Sequence, residues 1–246
     1  MRRRMQVDVH FTPDEARAAD LAGGTAVVID VVRATSCIVE AIANGARAVH
    51  PAVSVEEAVA LRTTLNGRGD RALLCGERGG IRIDGFDLGN SPAEFTAAAV
   101  GGRRLVMTTT NGTRAFAAAR HAGRVLAASF YNLSAVAGTV RDDDAVAIVC
   151  AGKEGRFSLD DAVCAGHIVR ALLDRAAAPV TLADGAVAAR DLAAVHAVTA
   201  DMLAGTAAGQ ALVEVGLGAD LALCARADRH QIVPMMQDRV ITAPRA

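Results

Sequence analysis

The sequence has no tryptophan and a single tyrosine, and aromatic residues make up only 3% of it. A protein that grips single-stranded nucleic acid by stacking its bases needs more rings than that. An excess of one charge is also missing. Against 26 Lys and Arg stand 27 Asp and Glu, so the net charge is −1 and no basic field is available to hold nucleic acid. No run reaches the roughly 18 apolar residues that a membrane helix requires. The basic start, "MRRRMQVDVHFTPDE", lacks the apolar stretch of a secretory signal. The five cysteines, Cys37, Cys75, Cys150, Cys164 and Cys224, form no C-x-x-C pair. An odd count without such a signal reads as reduced thiols, which makes the cytoplasm the expected location. Neither nucleic acid nor a membrane is therefore an expected partner.

Hydrophobic residues account for 52% of the chain and charged ones for 22%, enough for a substantial core. Strand and helix patterns alternate along it. "MQVDVHF" alternates as a strand. "TAVVID" reads as a buried strand, followed by the helix "ATSCIVEAIANGA" closed at Asn44-Gly45. After the strand "RAVHPAV", Ser54 caps "VEEAVALRTTL", with Glu57 at the capping-box position. "RALLCGE" is a strand and "RGGIRIDGFDLGN" a glycine-rich loop. Ser91-Pro92 has the form of a helix start. Next come "RRLVMTT" (strand), "TRAFAAARHAG" (helix), "RVLAAS" (strand), "NLSAVAGTV" (helix), "AVAIVCAG" (strand) and "SLDDAVCAGHIVRALLD" (helix). Residues 184–226 read mostly as helix, before a short Pro-containing tail. No linker divides residues 1–246, so a single domain is expected, with 184–226 as a helical subregion. The fold class is α/β: three α/β/α layers around a largely parallel or mixed sheet.

Three units share one plan of apolar strand, short polar loop and helix: "AVVID-VVRATS", "LVMTT-TNGTRA" and "VAIVC-AGKEGRFSLDD". Ligands of such folds sit outside the carboxyl ends of the strands, where loops distant in sequence meet. Each loop brings a cation: Arg33, Arg114, and the pair Lys153 and Arg156, with Arg78 added by "CGERGG". Lys153 is the only lysine in the chain. Hydroxyls and helix starts accompany the cations at Thr35, Ser36, Thr109, Thr110 and Thr113. Backbone N–H groups at a helix start together with an Arg fork make an anion site. The stretch "TTTNGTRA", including Asn111 and Gly112, therefore reads as a phosphate cradle. The plainer alternative is a turn with Thr113 as helix cap.

Carboxylates form a second set. Asp30 ends a strand, where a buried acid needs a metal or an Arg. Glu77, Asp84 and Asp87 lie in or beside the glycine-rich loop. Asp160 and Asp161 open a helix, where Ser158 and Asp161 also fit an ordinary cap. Hard oxygen donors without a Cys/His cluster favour magnesium over zinc. Two phosphatase patterns are met only in part. Val32 stands where the second Asp of D-x-D-x-T belongs. Cys150 to Arg156 satisfies C-x5-R, but Val149 replaces the usual preceding His and Phe157 the usual following hydroxyl. A metal-free thiol phosphatase built on Cys150 and Arg156 stays as an alternative, as does a non-catalytic binder of a phosphorylated metabolite.

Taken together, "VIDVVRATSCIVEAIANGA", "GERGGIRIDGFDLGNSP", "TTTNGTRA", "SFYNLSAVA" and "CAGKEGRFSLDDAVCAG" resemble, in order and spacing, the 2-phosphosulfolactate phosphatase family. The resemblance continues through "GLGADLALCARAD" and "VPMM". Asp160 departs from it, standing where the family usually carries Glu. The resemblance implies a magnesium-dependent phosphatase of coenzyme M biosynthesis that hydrolyses (2R)-2-phospho-3-sulfolactate to sulfolactate and phosphate. On this reading Asp30, Arg33, Arg114 and Asp161 are catalytic, and Asp30, Glu77, Asp160 and Asp161 hold Mg2+. Thr35, Ser36, Arg78, Asn90, Thr109, Thr110, Asn111, Gly112, Thr113, Lys153 and Arg156 contact the substrate. The expected partner is a small anionic phosphorylated molecule, and a homodimer stays open.

Overall fold

The computed structural model describes residues 4–19, 21–69 and 71–244. Eleven strands among them form one sheet: β1 (Met5–His10), β2 (Thr25–Ile29), β3 (Ala48–Pro51), β4 (Leu73–Arg78), β5 (Ile81–Arg82), β6 (Arg104–Thr108), β7 (Arg124–Ala128), β8 (Ala145–Cys150), β9 (Val180–Leu182), β10 (Met235–Gln237) and β11 (Val240–Thr242). Their order across the sheet is β5-β4-β6-β3-β11-β10-β7-β2-β8-β1-β9. Two parallel blocks result. One is β4-β6-β3 and the other β7-β2-β8-β1-β9, and the hairpin β10–β11 pairs antiparallel with β7 and β3 between them. This is the α/β architecture that the alternating patterns imply, with a mixed element at its centre.

Burial explains the strand sequences. β2 is buried along its whole length, as an unbroken run of apolar and β-branched residues requires between two covered faces. Its residues divide by period two. Val27 and Ile29 join Ile148, Val163 and Ile168 in the core beneath the helices Leu133–Val140 and Leu159–Arg175. Ala26 and Val28 join Ile38, Leu105 and Phe116 in the core beneath the helices Ala34–Ala43 and Gly112–Ala119. A smaller core of Ala58, Leu65, Leu74 and Val106 lies under the helix Val55–Gly67.

Residues 184–226 are helical as their pattern suggests, in four segments: Asp184–Val195, Ala200–Ala204, Ala207–Glu214 and Ala219–Cys224. The Pro-containing tail, by contrast, is not an irregular end. It forms the β10–β11 hairpin, turning at Asp238 and Arg239, both of which have positive φ. Each strand has three residues, too few to show an alternation, and the turn carries neither of the Asn-Gly or Asp-Gly signals. Strand β9 is equally short and unmarked. Among the described residues no helix is long and apolar enough to cross a membrane.

Candidate active site

The loops after β2, β4, β6 and β8 meet at one cleft of about 260 Å³. Its lining includes Asp30, Arg33, Glu77, Asn90, Thr110, Asn111, Lys153, Asp160 and Asp161. Each loop is held by side-chain bonds to backbone. At the end of β2, Thr35 Oγ1 accepts from Asp30 N–H at 2.9 Å and donates to Asp30 O at 2.8 Å, while Ser36 Oγ donates to Val31 O at 2.8 Å. Those hydroxyls shape the loop from beneath and are fully buried. The Val32–Arg33 peptide within this loop is cis. Asp30 Oδ1 accepts from Ala34 N–H at 3.1 Å. Gly112 opens the neighbouring helix so close to Asp30 that a Cβ there would stand 2.7 Å from Asp30 Oδ2. Only glycine lets the "TNGT" turn approach that carboxylate.

Two acids act as loop clamps. Asp161 takes Val31 N–H on Oδ1 at 2.8 Å and Gly152 N–H on Oδ2 at 3.0 Å, tying the loop after β2 to the loop after β8. Glu77 takes Thr110 N–H on Oε1 at 2.7 Å and Gly80 N–H on Oε2 at 2.8 Å, tying the β4–β5 turn to the loop after β6. Asn111 Oδ1 adds a third link by accepting from Glu154 N–H at 3.0 Å. Ser158 does not use its hydroxyl as a helix cap, nor does Asp161 complete one. The Ser158 hydroxyl donates to Asp160 Oδ1, and both acids turn inward from the start of the helix Leu159–Arg175.

Burial and crowding raise these carboxyls. Asp30 is pushed up to about 7, first by burial and then by the nearby charges of Asp160 and Glu77, against the lowering influence of Ala34 N–H and Arg33. Asp161 is pushed well above the carboxylate range by burial and by Asp160 and Asp30. Burial also raises Asp160, although Ser158, the local N–H groups and Lys153 pull the other way. Such a set of hard oxygen donors suits a divalent cation. Among the described residues no three His, Cys, Asp or Glu side chains form a ready metal cage. Magnesium in general keeps several waters and takes one or two carboxylates together with substrate oxygens. Asp161 and Glu77 already use both oxygens on backbone N–H groups. Of the bonds above, Ala34 N–H occupies Oδ1 of Asp30 and the Ser158 hydroxyl Oδ1 of Asp160, which makes these two the candidates to hold a metal.

Several residues that the sequence reading assigned to the ligand lie elsewhere. Arg114 is exposed and does not line the cleft. Thr113 faces inward, bonding to Thr109 O at 3.0 Å, and one helical step of about 100° carries Arg114 outward. Thr109 returns the contact through Thr113 N–H at 3.3 Å, so this pair stabilises the turn from within. Arg78 folds back along the strand, donating to Glu77 O at 2.6 Å and Thr108 Oγ1 at 2.9 Å. Arg156 is exposed, and its backbone closes the tight turn with Lys153. Cys150 is fully buried, and burial with Asp161 nearby pushes its thiol well up, the reverse of a thiolate nucleophile.

Other cleft features have little sequence signal. Ala208, Ala211, Leu212 and Val215, from the helix Ala207–Glu214 and just beyond it, form one wall. Asp220 lies behind Arg33, accepting from its Nη1 at 2.6 Å. An acid in the first turn of a helix reads from sequence as an ordinary dipole partner, so its inward direction could not be seen there.

A profile of the family described as 2-phosphosulpholactate phosphatase matches residues 10–239. Relatives named "Probable 2-phosphosulfolactate phosphatase" include one from Pseudothermotoga lettingae, 39% identical over 96% of this chain and 98% of that protein. Another, from Symbiobacterium thermophilum, is 44% identical over 90% of this chain and 94% of its own. A third, from Thermus thermophilus, is 41% identical over 87% of this chain and 88% of its own. With a cleft of clustered carboxylates at the carboxyl ends of its strands and a match along nearly its whole length, the chain belongs to the 2-phosphosulfolactate phosphatase family, and so to the phosphoric monoester hydrolases.

Proposed function

We propose that this protein hydrolyses (2R)-2-phospho-3-sulfolactate, or a closely similar 2-phospho-carboxylate, to the hydroxy acid and phosphate with the help of Mg2+. The observation that carries the reading is the convergence of Asp30, Asp160, Asp161 and Glu77 with Arg33, Lys153 and Asn90 in one cleft. Asp30 and Asp160 would hold the metal. When bound, magnesium supplies positive charge at the phosphoryl oxygens, where negative charge must be accommodated during displacement. Asp161 and Glu77 keep the loops in register around that point. Lys153 and Arg33 face the anionic groups of the substrate, with Asn111 beside them in the cleft lining. The apolar wall of Ala208, Ala211, Leu212 and Val215 limits the space for the carbon chain. This activity would place the protein in coenzyme M biosynthesis. Five buried thiols accord with a reducing compartment such as the cytoplasm.

Phosphate release across a panel of phosphorylated 2-hydroxy acids, with magnesium and with EDTA, tests the reading. The expected result is magnesium-dependent release that is fastest with the sulfonated ester. Equal release in EDTA would remove the metal from the reading. Release confined to esters lacking a carboxylate would remove the substrate.

A further inference from the structure

We propose that Asp220 is a positioning residue that orients Arg33 and, through Ser91, Asn90 for the non-phosphoryl anionic end of the substrate. The inference rests on the functional reading above and adds to it the group that sets the recognition geometry. Arg33 lines the cleft and is almost wholly buried. Its Nη1 donates to Asp220 Oδ2 at 2.6 Å and its Nη2 to Gly80 O at 2.5 Å. A guanidinium has five N–H donors in one plane. Fixing one bond on each terminal nitrogen fixes that plane and leaves the remaining donors for a ligand.

The other oxygen of Asp220 accepts from Ser91 Oγ at 2.6 Å. Ser91 directly follows Asn90, which lines the cleft, is 4% exposed, and has its Oδ1 buried without a hydrogen-bond partner. A buried amide oxygen with no partner is costly in a folded protein, and in this orientation it offers an acceptor, not a donor. Rotation of the amide by half a turn presents its N–H donors instead, and a sulfonate or carboxylate accepts from these as it does from Arg33. One carboxylate, on a helix that does not itself line the cleft, therefore fixes two neighbouring recognition groups. A simpler role would be that of a staple, in which the Arg33–Asp220 pair only fastens the helix Ala219–Cys224 to the loops. A staple changes stability but not selection.

Three variants, Asp220→Ala, Asp220→Asn and Ser91→Ala, separate the two roles. Calorimetry measures the affinity of the magnesium-loaded protein for 3-sulfolactate. Kinetics compare kcat/KM for 2-phospho-3-sulfolactate with that for phenyl phosphate, which has no second anionic group. Losing a hydrogen bond that positions a charged group corresponds to about tenfold or more in affinity. Asp220→Ala should therefore weaken 3-sulfolactate and raise KM for its phosphate ester by about that factor, and lower the ratio of the two kcat/KM values similarly. Asp220→Asn, which can still accept from Arg33 and bond to Ser91, should recover most of the loss. Ser91→Ala, which leaves Arg33 paired, should fall between them. Wild-type affinity and an unchanged ratio in Ser91→Ala and Asp220→Ala, with only the melting temperature lowered, would establish the staple. Should Asp220→Ala fail to fold, Ser91→Ala alone decides in the same way. If the wild type hydrolyses other phosphate esters but not that of sulfolactate, the substrate reading fails separately. The same variants are then compared on the phosphorylated acid that the wild type does use, where an unchanged ratio again overturns the proposal.

Discussion

Asp30 is buried at a cleft shared with three other acids, and the protein tolerates the crowding with only Arg33 and Lys153 as cations in the lining. Asp30→Asn keeps the side-chain shape and removes one of the repelling charges. It should lower phosphate release at saturating magnesium by at least about a hundredfold, as the loss of a catalytic or metal-holding group commonly does. In metal-free protein the same change should raise the melting temperature by a few degrees, since about 1 kcal/mol corresponds to roughly 2–4 °C at this size. Cys150→Ser should keep most of the activity, because the thiol is fully buried, and burial together with the neighbouring acids opposes its ionisation. Phosphate release and thermal melts of both variants check the pair. An inactive Cys150→Ser beside an active Asp30→Asn would restore the thiol mechanism. At this scale the sequence was informative where chain order alone fixes position: Asp30, Thr110 and Lys153 each follow a strand end closely, Asp161 opens the helix after β8, and all four line one cleft. Side-chain direction it does not carry. Arg114, Arg78 and Arg156 share those same loops but turn away from the cleft, and one helical step or one tight turn suffices for that.

Elements are set into place by close approaches that no periodicity reveals. Gly166 lies on the helix Leu159–Arg175 where Asp184–Val195 crosses it, and a Cβ at this position would stand 1.9 Å from Ala189 O. Gly138, in the helix Leu133–Val140, has open space around it. The same substitution should therefore have opposite signs. Gly166→Ala forces the two helices apart and should cost about 1–3 kcal/mol. Gly138→Ala removes glycine's conformational freedom from a helix and should stabilise by roughly 0.5–1 kcal/mol. Denaturant melts of the two variants give the answer, and equal shifts would contradict the packing described. The helical period puts Gly166 on one face with Leu159, Val163, Val169 and Leu173, but it does not show which backbone crosses there. The long strands and helices were legible because burial imposes a period on them. The hairpin β10–β11 was not, since three-residue strands owe their pairing to the neighbours β7 and β3 that receive them.

Over the whole molecule the charges nearly cancel, but they are not evenly distributed. The cleft gathers Asp30, Glu77, Asp160 and Asp161, with Glu154 and Glu214 also in its lining, against Arg33 and Lys153. Arg33 is already paired with Asp220, and Lys153 lies 3.5 Å from Glu154. From the sequence the loops seemed rich in cations, because Arg78, Arg114 and Arg156 are counted there whichever way they point. With those three outside the cleft, its charge is negative, and an anionic ligand meets repulsion focused by low-dielectric walls. A divalent cation held by the acids would reverse that local sign, so metal should bind before the anion does. Calorimetric titration with inorganic phosphate and with 3-sulfolactate should show binding in magnesium that weakens by about tenfold or more in EDTA, a difference of roughly 1.4 kcal/mol or greater. Magnesium titrated alone should bind, and Asp160→Asn should weaken it without disturbing the fold seen by circular dichroism. Anion binding of equal strength in EDTA would mean that Arg33, Lys153 and the backbone N–H groups suffice to overcome four neighbouring carboxylates. Burial already favours protonation of Asp30, Asp160 and Asp161, and any further protons taken up with the anion would show in the same titrations run in buffers of different ionisation enthalpy.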